Sequence, residues 1–574
     1  MKWCALLVAL LAAGAIAPHP VASAALPDLD AAYIGRTPRY DYDAAKNQPA
    51  AGDPVVFEGH IANRGGTAIG SFEFAWYLDD QLVQSGTYPG SLAPGATATL
   101  SLSWSWQPGA HTLSLRLDPA GKIAEVSEHN NQLDDRTSAL AVGLWVEQGV
   151  YDYFNSHQAQ LGLGSVSWDD WAQRQLRVWN GMFAAAISPL TPQGVLDRVR
   201  LDKVTVVPNG ALPDCATNFP AIDDKTIDLQ WGFPAEEVGI PSGHSCGALN
   251  YYFDNPSAQN IEYSLMHELS HARYLVDLYG FNVYANAAYL AAAVGSASTT
   301  LPTDRDVEHD DNFPTPTHLA IDGELVICQA KSGTSFTSCA RGAEGTHARA
   351  HASAALINNA VVELQDGQGN LVQGSAALPV RGTWADHLYF NRYVDDMMGG
   401  GDWTGYRTHS AYALNRIAGR RPLCGNYNAP CNIGEYLNDI PAHNVVEIRD
   451  KSNQPLRRAK VEVFQAQPFA IWYGKRFLEP ANLSVVADYR GRADLGAFPF
   501  GDAPPIVHSY GQSSGVLLLR ISSGGATALQ FFEVTQANEA FWQGQRDTAV
   551  YVLNTDLPAG LPDLQYYVPI ARQS

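Results

Sequence analysis

The sequence predicts a multidomain chain in which an α+β domain is flanked by two β-sandwiches, one N-terminal and one C-terminal. Three observations carry that prediction. The chain has 574 residues, too many for one core. Its 50 glycines and 34 prolines punctuate short runs of period-two alternation near both ends, whereas the middle carries the apolar spacing of helices. With 46% hydrophobic and 17% charged residues, the chain has the makeup of a folded protein and not of a disordered one. A formal net charge of −21 argues against a nucleic-acid-binding surface, which has to neutralise phosphates.

The first residues follow the plan of an export signal. Lys2 gives a positive start, Trp3 to Ala17 an apolar stretch, and Ala22-Ser23-Ala24 a small-residue cleavage site. The expectation is a secreted or periplasmic protein, cleaved after Ala24, with no membrane span and with residues 25–49 as a linker. Removing the signal leaves Cys215, Cys246, Cys328, Cys339, Cys424 and Cys431. An even number in an exported chain favours disulfides, and proximity suggests Cys215–Cys246, Cys328–Cys339 and Cys424–Cys431.

Residues 50–143 read as strands and turns only. "DPVVFEGHIANRG", "SFEFAWYLDD", "TATLSLSWSW" and "GAHTLSLRLDP" alternate with period two between Gly, Pro and Asn. The stretches "PGAHTLSLRLDP" and "IAEVSEHNN" resemble the closing strands of the CARDB family of cell-surface domains, immunoglobulin-like β-sandwiches. The resemblance implies a fold and an accessory role, such as attachment to a cell surface or matrix.

Residues 144–440 change character. "SWDDWAQRQLRVWNGMFAAAIS" has helical spacing after a Ser167 N-cap, with Asp169 and Asp170 in the first turn. Strands "DKVTVVP" and "TIDLQWGFP" follow, the second a candidate edge for an extended peptide. Residues 316–355 read as an inserted hairpin stapled by Cys328 and Cys339. There His347 and His351 form an i,i+4 pair in Gly-rich surroundings that do not favour a helix, so the pair reads as incidental. From 441 to 574 the chain is β-rich again, and "DYRGRADLG" resembles a turn of prealbumin-like sandwiches.

The chemistry concentrates in "MHELSHARYLVDLYG", residues 266–280. On a helix His267 and His271 share a face and can reach one ion, and Glu268 lies about 100° away round the axis. Two imidazoles leave room on a zinc ion for a third ligand and a water, which the glutamate is placed to deprotonate. The stretch "HELSHARYLVDLY" resembles the metzincins, and among them the immune inhibitor A-like metallopeptidases, whose pattern is H-E-x-x-H-x-x-G-L-x-D-x-Y. That resemblance implies a zincin-like fold and Asp277 as third ligand. It departs at Tyr274, where the family has a turn-forming glycine. An unbroken helix would point Asp277 about 100° away from the histidines, so ligation requires the chain to turn near Tyr274. Otherwise the third ligand comes from elsewhere, with Glu308 in the acidic run "TDRDVEHDD" as the alternative and calcium as a lesser possible guest of that run.

Further on, "YVDDMMGGGDWTGYRTHSAYALNRIA" pairs Met397 and Met398 before glycines and a helix, as in the methionine turn beneath a metzincin zinc. The same comparison makes Tyr406 and Tyr412 the oxyanion-donor candidates. The expectation is therefore a secreted zinc endopeptidase holding one Zn2+, acting on protein or peptide, with Glu268 as general base. The alternatives are an adhesion or binding protein whose zincin-like domain is inactive, and a metal-dependent hydrolase of another bond, such as a glycan-linked amide.

Overall fold

The computed structural model describes residues 26–40, 48–161, 167–212, 224–234, 261–281, 283–310, 313, 315–322, 324–343, 346–359, 362–365, 368, 382–384, 387–390, 395–399, 405–419, 433–468, 475–501, 507–509, 512–513 and 515–558. The expected signal peptide, Cys215, Cys246, Cys424 and Cys431 lie outside them.

The N-terminal sandwich sets a sheet of β1 (Leu29–Thr37), β2 (Pro54–Asn63) and β5 (Thr97–Ser105) against one of β3 (Phe72–Leu78), β4 (Gln81–Tyr88), β6 (Thr112–Leu117) and β7 (Gln132–Arg136). Inward residues such as Phe57, Trp76 and Leu115 close the space between them. The interval expected to be a linker is thus corrected. β1 lies inside it and pairs antiparallel with β2 from Leu29↔Asn63 to Thr37↔Val56. Leu29 and Ile34 are fully buried, so apolar burial holds a segment that its Pro- and Asp-bearing surroundings disguised.

β8 (Leu140–Glu147) follows and is central in a parallel sheet, between β9 (Val199–Val207) and β10 (Leu229–Phe233). The boundary expected at 143/144 cuts this strand. All eight of its residues are buried, so it reads as a continuous apolar run without alternation, the mark of a covered parallel strand. Helices α1 (Gln148–Leu161) and α2 (Trp168–Ala185) cross over from β8 to β9. Ser167 caps α2 by accepting from the Asp170 N–H at 3.1 Å. Trp168 and Trp171 of α2 meet Phe233 of β10 edge-on, at 5.3 and 5.9 Å. β10 is an edge strand of this sheet among the described residues, as expected, although all five of its residues are buried.

The hairpin expected as an insertion is part of something larger. Eight of the strands between Val283 and Phe390 build one sheet with its own core around Leu319, Val326 and Phe336, whereas Val362–Gln365 pairs with Lys475–Leu478. The Cys328–Cys339 disulfide staples directly opposed residues of the sheet's hairpin 324–340. His347 sits outside any helix, and buried His351 lies between Asp322 and Glu324 at 2.9 and 2.8 Å.

The C-terminal region has sheets of three and four strands, plus a helix inside the stretch expected to be β-rich. "VTQANEAFW" forms α5 (Val534–Trp542), started by a capping box between Glu533 and Gln536. Val534 and Ala537 of α5 join the same apolar core as Leu144, Trp179 and Leu269. Residues 441–558 are therefore packed into the middle block instead of being hung from it. Between these helices come α3 (Tyr263–His271) and α4 (Thr408–Arg416).

The sandwich is joined to the parallel sheet through Asp202 of β9. Its carboxylate receives Arg200 at 2.6 Å, Arg39 at 2.5 Å and the Arg36 N–H at 3.1 Å. Burial would raise its pKa, but the Arg200 and Arg39 guanidiniums hold it below the usual range. Asp202→Ala leaves Arg200 buried without its carboxylate. A cost of about 3–5 kcal/mol is expected, read as a lower urea midpoint in tryptophan fluorescence.

Candidate metal centre

Helix α3 turns Leu265, Met266 and Leu269 into the core and presents His267, Glu268 and His271 on its other flank. It stops at His271. Tyr274 has φ +66°, in the left-handed region. The Leu275 N–H bonds back to the Ser270 carbonyl and the Tyr274 N–H to the His271 carbonyl, at 3.3 and 2.9 Å. These two bonds around a left-handed residue make a Schellman cap, here with a tyrosine where glycine is usual. The chain reverses, and Asp277 comes back beneath the helix.

The result is a cluster of His267, His271 and Asp277, each offering one ligand atom, with all three atoms within 4.8 Å of one another. His267 Nε2 is 3.0 Å and His271 Nε2 3.4 Å from the same Asp277 oxygen. Two ligands on one tetrahedral zinc ion, each at about 2.05 Å, stand about 3.3 Å apart. All three residues are buried.

The other ring nitrogens are engaged. His267 Nδ1 donates to the Met397 carbonyl and His271 Nδ1 to the Leu275 carbonyl, each at 2.8 Å. A carbonyl cannot donate, so both Nδ1 atoms carry the proton and each Nε2 faces the cluster. This outer layer is what a metal-binding histidine needs in order to hold tautomer and orientation. The donor set and its spacing fit a zinc ion.

Met397 and Met398 lie fully buried beneath the cluster. The Met398 carbonyl accepts the Leu278 N–H at 2.8 Å, so this turn grips both the first histidine and the chain just past Asp277. Opposite, the Tyr436 hydroxyl accepts the Val276 N–H at 3.1 Å, and the Tyr274 carbonyl accepts the Gly434 N–H at 2.9 Å. Arg273 points away, buried against Asp197 at 2.6 Å.

Electrostatics follow from this packing. Burial alone would lower the His267 pKa, but the bond to Asp277 and its charge raise it to about 9. Burial would raise Asp277, yet His271 and His267 take it down to about 2. Glu268, half-buried, has its pKa raised, chiefly by desolvation, against the opposing pull of His267 and His271. Such a raised carboxylate sits beside the two imidazoles of the cluster.

Several expected roles move. Tyr406 is not an oxyanion donor, because its hydroxyl sits behind α3, between Trp179 Nε1 and Ser270 Oγ at 2.6 Å each. Tyr412 stacks on Trp542 at 4.7 Å. Glu308 instead accepts the Gly333 N–H, Asp304 accepts the Tyr289 N–H from a neighbouring strand, and Asp306 and Asp310 bind their own loop's neighbours. Tyr279 stacks parallel to His267 at 6.2 Å. A residue missed in the sequence is Asp396, buried just before the methionines, whose pKa burial raises to about 6. An acid immediately preceding two core methionines was the available signal.

Comparison with known proteins bears on the first sandwich. The CARDB family model matches residues 40–135. This segment is a CARDB domain. Its β1 strand precedes the matched residues, so the sandwich is wider than the match. Among solved structures, a CARDB domain from Pyrococcus furiosus, in complex with di-metal ions, is 21% identical. That match covers 19% of this chain and 91% of that one, at a TM-score of 0.16. A domain of a putative cell surface protein from Methanosarcina acetivorans is 22% identical, covering 19% and 90%, also at 0.16. Catechol 1,2-dioxygenase from Acinetobacter sp. ADP1 is 14% identical, covering 21% and 57%, at 0.11. No curated protein matches the chain. The family match ends well before His267.

Three predictions follow from the geometry. Left-handed backbone costs a β-branched residue more than it costs glycine, so Tyr274→Val is expected to weaken zinc binding by about tenfold or more relative to Tyr274→Gly. Both variants lose the ring, so competition titration against a chelator isolates the turn. The second concerns pH in the metal-free protein. The His267 pKa rises from an ordinary 6.5 to about 9, so its stabilising contribution is complete below 6.5 and lost as pH climbs through 9. Asp277 falls from 3.8 to about 2, so its contribution holds above 3.8 and is lost as pH falls through 2. Zinc competes with the His267 proton, so apparent zinc affinity should rise about tenfold per pH unit between 6.5 and 9.

Proposed function

We propose that this chain is a zinc-dependent endopeptidase of metzincin-like design that acts outside the cell. The observation that carries the reading is the convergence of His267 Nε2, His271 Nε2 and Asp277 Oδ1, with both Nδ1 atoms committed to backbone carbonyls. Such a set holds one divalent cation and leaves a fourth position for chemistry. Zinc, when bound, supplies Lewis-acid polarisation of a peptide carbonyl and acidifies water to near neutrality. Glu268 takes the proton from the attacking water and returns it to the leaving amine, a role that suits its raised pKa. The methionine turn keeps His267 in the required tautomer throughout.

An extracellular site of action is supported by the Cys328–Cys339 disulfide and by the export-type N-terminal sequence. No described helix is long and apolar enough to cross a membrane. The CARDB domain then serves for attachment or targeting, beside a substrate of extended peptide.

The test is metal content and casein hydrolysis in wild type, Glu268→Ala and Asp277→Ala. Zinc at one per chain is expected in the first two. Hydrolysis should fall about 10²- to 10⁴-fold in Glu268→Ala, and zinc itself should be lost in Asp277→Ala. Full hydrolysis by Glu268→Ala would sink the mechanism. A zinc-loaded wild type without hydrolysis would favour a binding protein with an inactive site.

A further inference from the structure

Asp396 is buried with no exposed side-chain surface, and its partners among the described residues are all neutral. One carboxylate oxygen accepts the Met398 N–H at 2.8 Å and the Ser410 hydroxyl at 2.7 Å, and the other accepts the Arg407 N–H at 2.6 Å. A buried carboxylate without a cation costs free energy, even when hydrogen-bonded. Apolar packing of the two methionines alone has no need of it.

Its three bonds reach two different elements. Arg407 and Ser410 belong to the start of α4, whose N-cap residue, Arg407, makes no side-chain cap of its own. The carboxylate therefore caps that helix from outside, where the helix dipole favours a negative group. Met398 belongs to the turn that grips the cluster. Further bonds complete the turn, from the Met397 N–H to the Gly405 carbonyl at 2.6 Å and from the Gly399 N–H to the Asp396 carbonyl at 2.7 Å. Inward bonds fix the turn, and its two outward carbonyls meet His267 Nδ1 and the Leu278 N–H.

We propose that Asp396 is a positioning residue of the metal centre: by tying the Met397–Met398 turn to α4, it aims one carbonyl at His267 and the next at the chain carrying Asp277. The proposal rests on the reading of that cluster as a metal site. Its negative charge, one peptide from the Met397 carbonyl, also favours the Nδ1–H tautomer of His267 and strengthens Nε2 as a ligand.

The experiment uses the full chain with zinc and cobalt(II) as probes. Wild type, Asp396→Ala, Asp396→Asn and Ser410→Ala are compared for zinc affinity by chelator competition, for the cobalt visible spectrum, and for fold by circular dichroism. Expected for folded Asp396→Ala is zinc binding about 10- to 100-fold weaker, with a shifted cobalt spectrum. Asp396→Asn should show a smaller loss in the same direction, because the amide has one acceptor for three donors. A purely structural role would lower thermal stability and leave the cobalt spectrum unchanged. That result, with wild-type zinc affinity in the folded variant, overturns the proposal. If Asp396→Ala fails to fold, wild-type affinity and spectrum in both Asp396→Asn and Ser410→Ala overturn it equally. A wild type that binds neither metal overturns the metal-site reading and this proposal together, whereas a metal-binding wild type matched by its variants overturns the proposal alone.

Discussion

The Schellman cap after His271 is the constraint on which the rest of the site depends. One left-handed residue, Tyr274, does two things at once. It reverses the chain so that Asp277 returns under both histidines, and it sets the Leu275 carbonyl against His271 Nδ1. A helix that ran on one more turn would carry Asp277 away from the histidines and take the Leu275 carbonyl from His271 Nδ1 together.

Such a turn holds only if its surroundings over-determine it, and the braces come from distant parts of the chain. From α2, Trp179 reaches Tyr406, whose hydroxyl meets Ser270 inside α3. From α5, Asn538 donates to the carbonyls of Leu437 and Asp439 at 3.2 and 2.9 Å. That fixes the short 3-10 turn Glu435–Asn438, from which Tyr436 holds the Val276 N–H. The C-terminal region therefore supports the site through its helix. One apolar core also runs from Leu140 to Leu557. An apolar core is non-directional, whereas these hydrogen bonds fix where the loop stands.

How legible this was depended on the range of each interaction. His267, Glu268 and His271 were readable because helical spacing alone places them. The Ser167 cap and the pairing of Cys328 with Cys339 were local for the same reason. Asp277 was legible only through resemblance, since the tyrosine at 274 argued against the turn by propensity. β1 and β8 escaped because their patterns are set by partners remote in sequence. β8 shows no alternation once both faces are covered, and "VTQANEAFW" takes its helix from a capping box within a strand-rich neighbourhood. Tyr406 was assigned to the wrong side of α3 because spacing from a methionine pair does not fix where a hydroxyl ends up.

The tyrosine at 274 shows how a local conflict is resolved by packing. Glycine would adopt φ +66° freely, whereas a side chain there costs about 1–2 kcal/mol. The Tyr274 residue is only 5% exposed, and burying a large apolar side chain returns about 1.5–3 kcal/mol. Packing therefore offsets the strain. Glycine also carries the larger unfolded-state entropy, so it would reach the same turn with a longer list of alternatives in the loop. A buried ring anchors the residue to the core, and the Gly434 N–H fixes its carbonyl. The turn that brings the Asp277 carboxylate back under the histidines is thus held from both its side chain and its backbone.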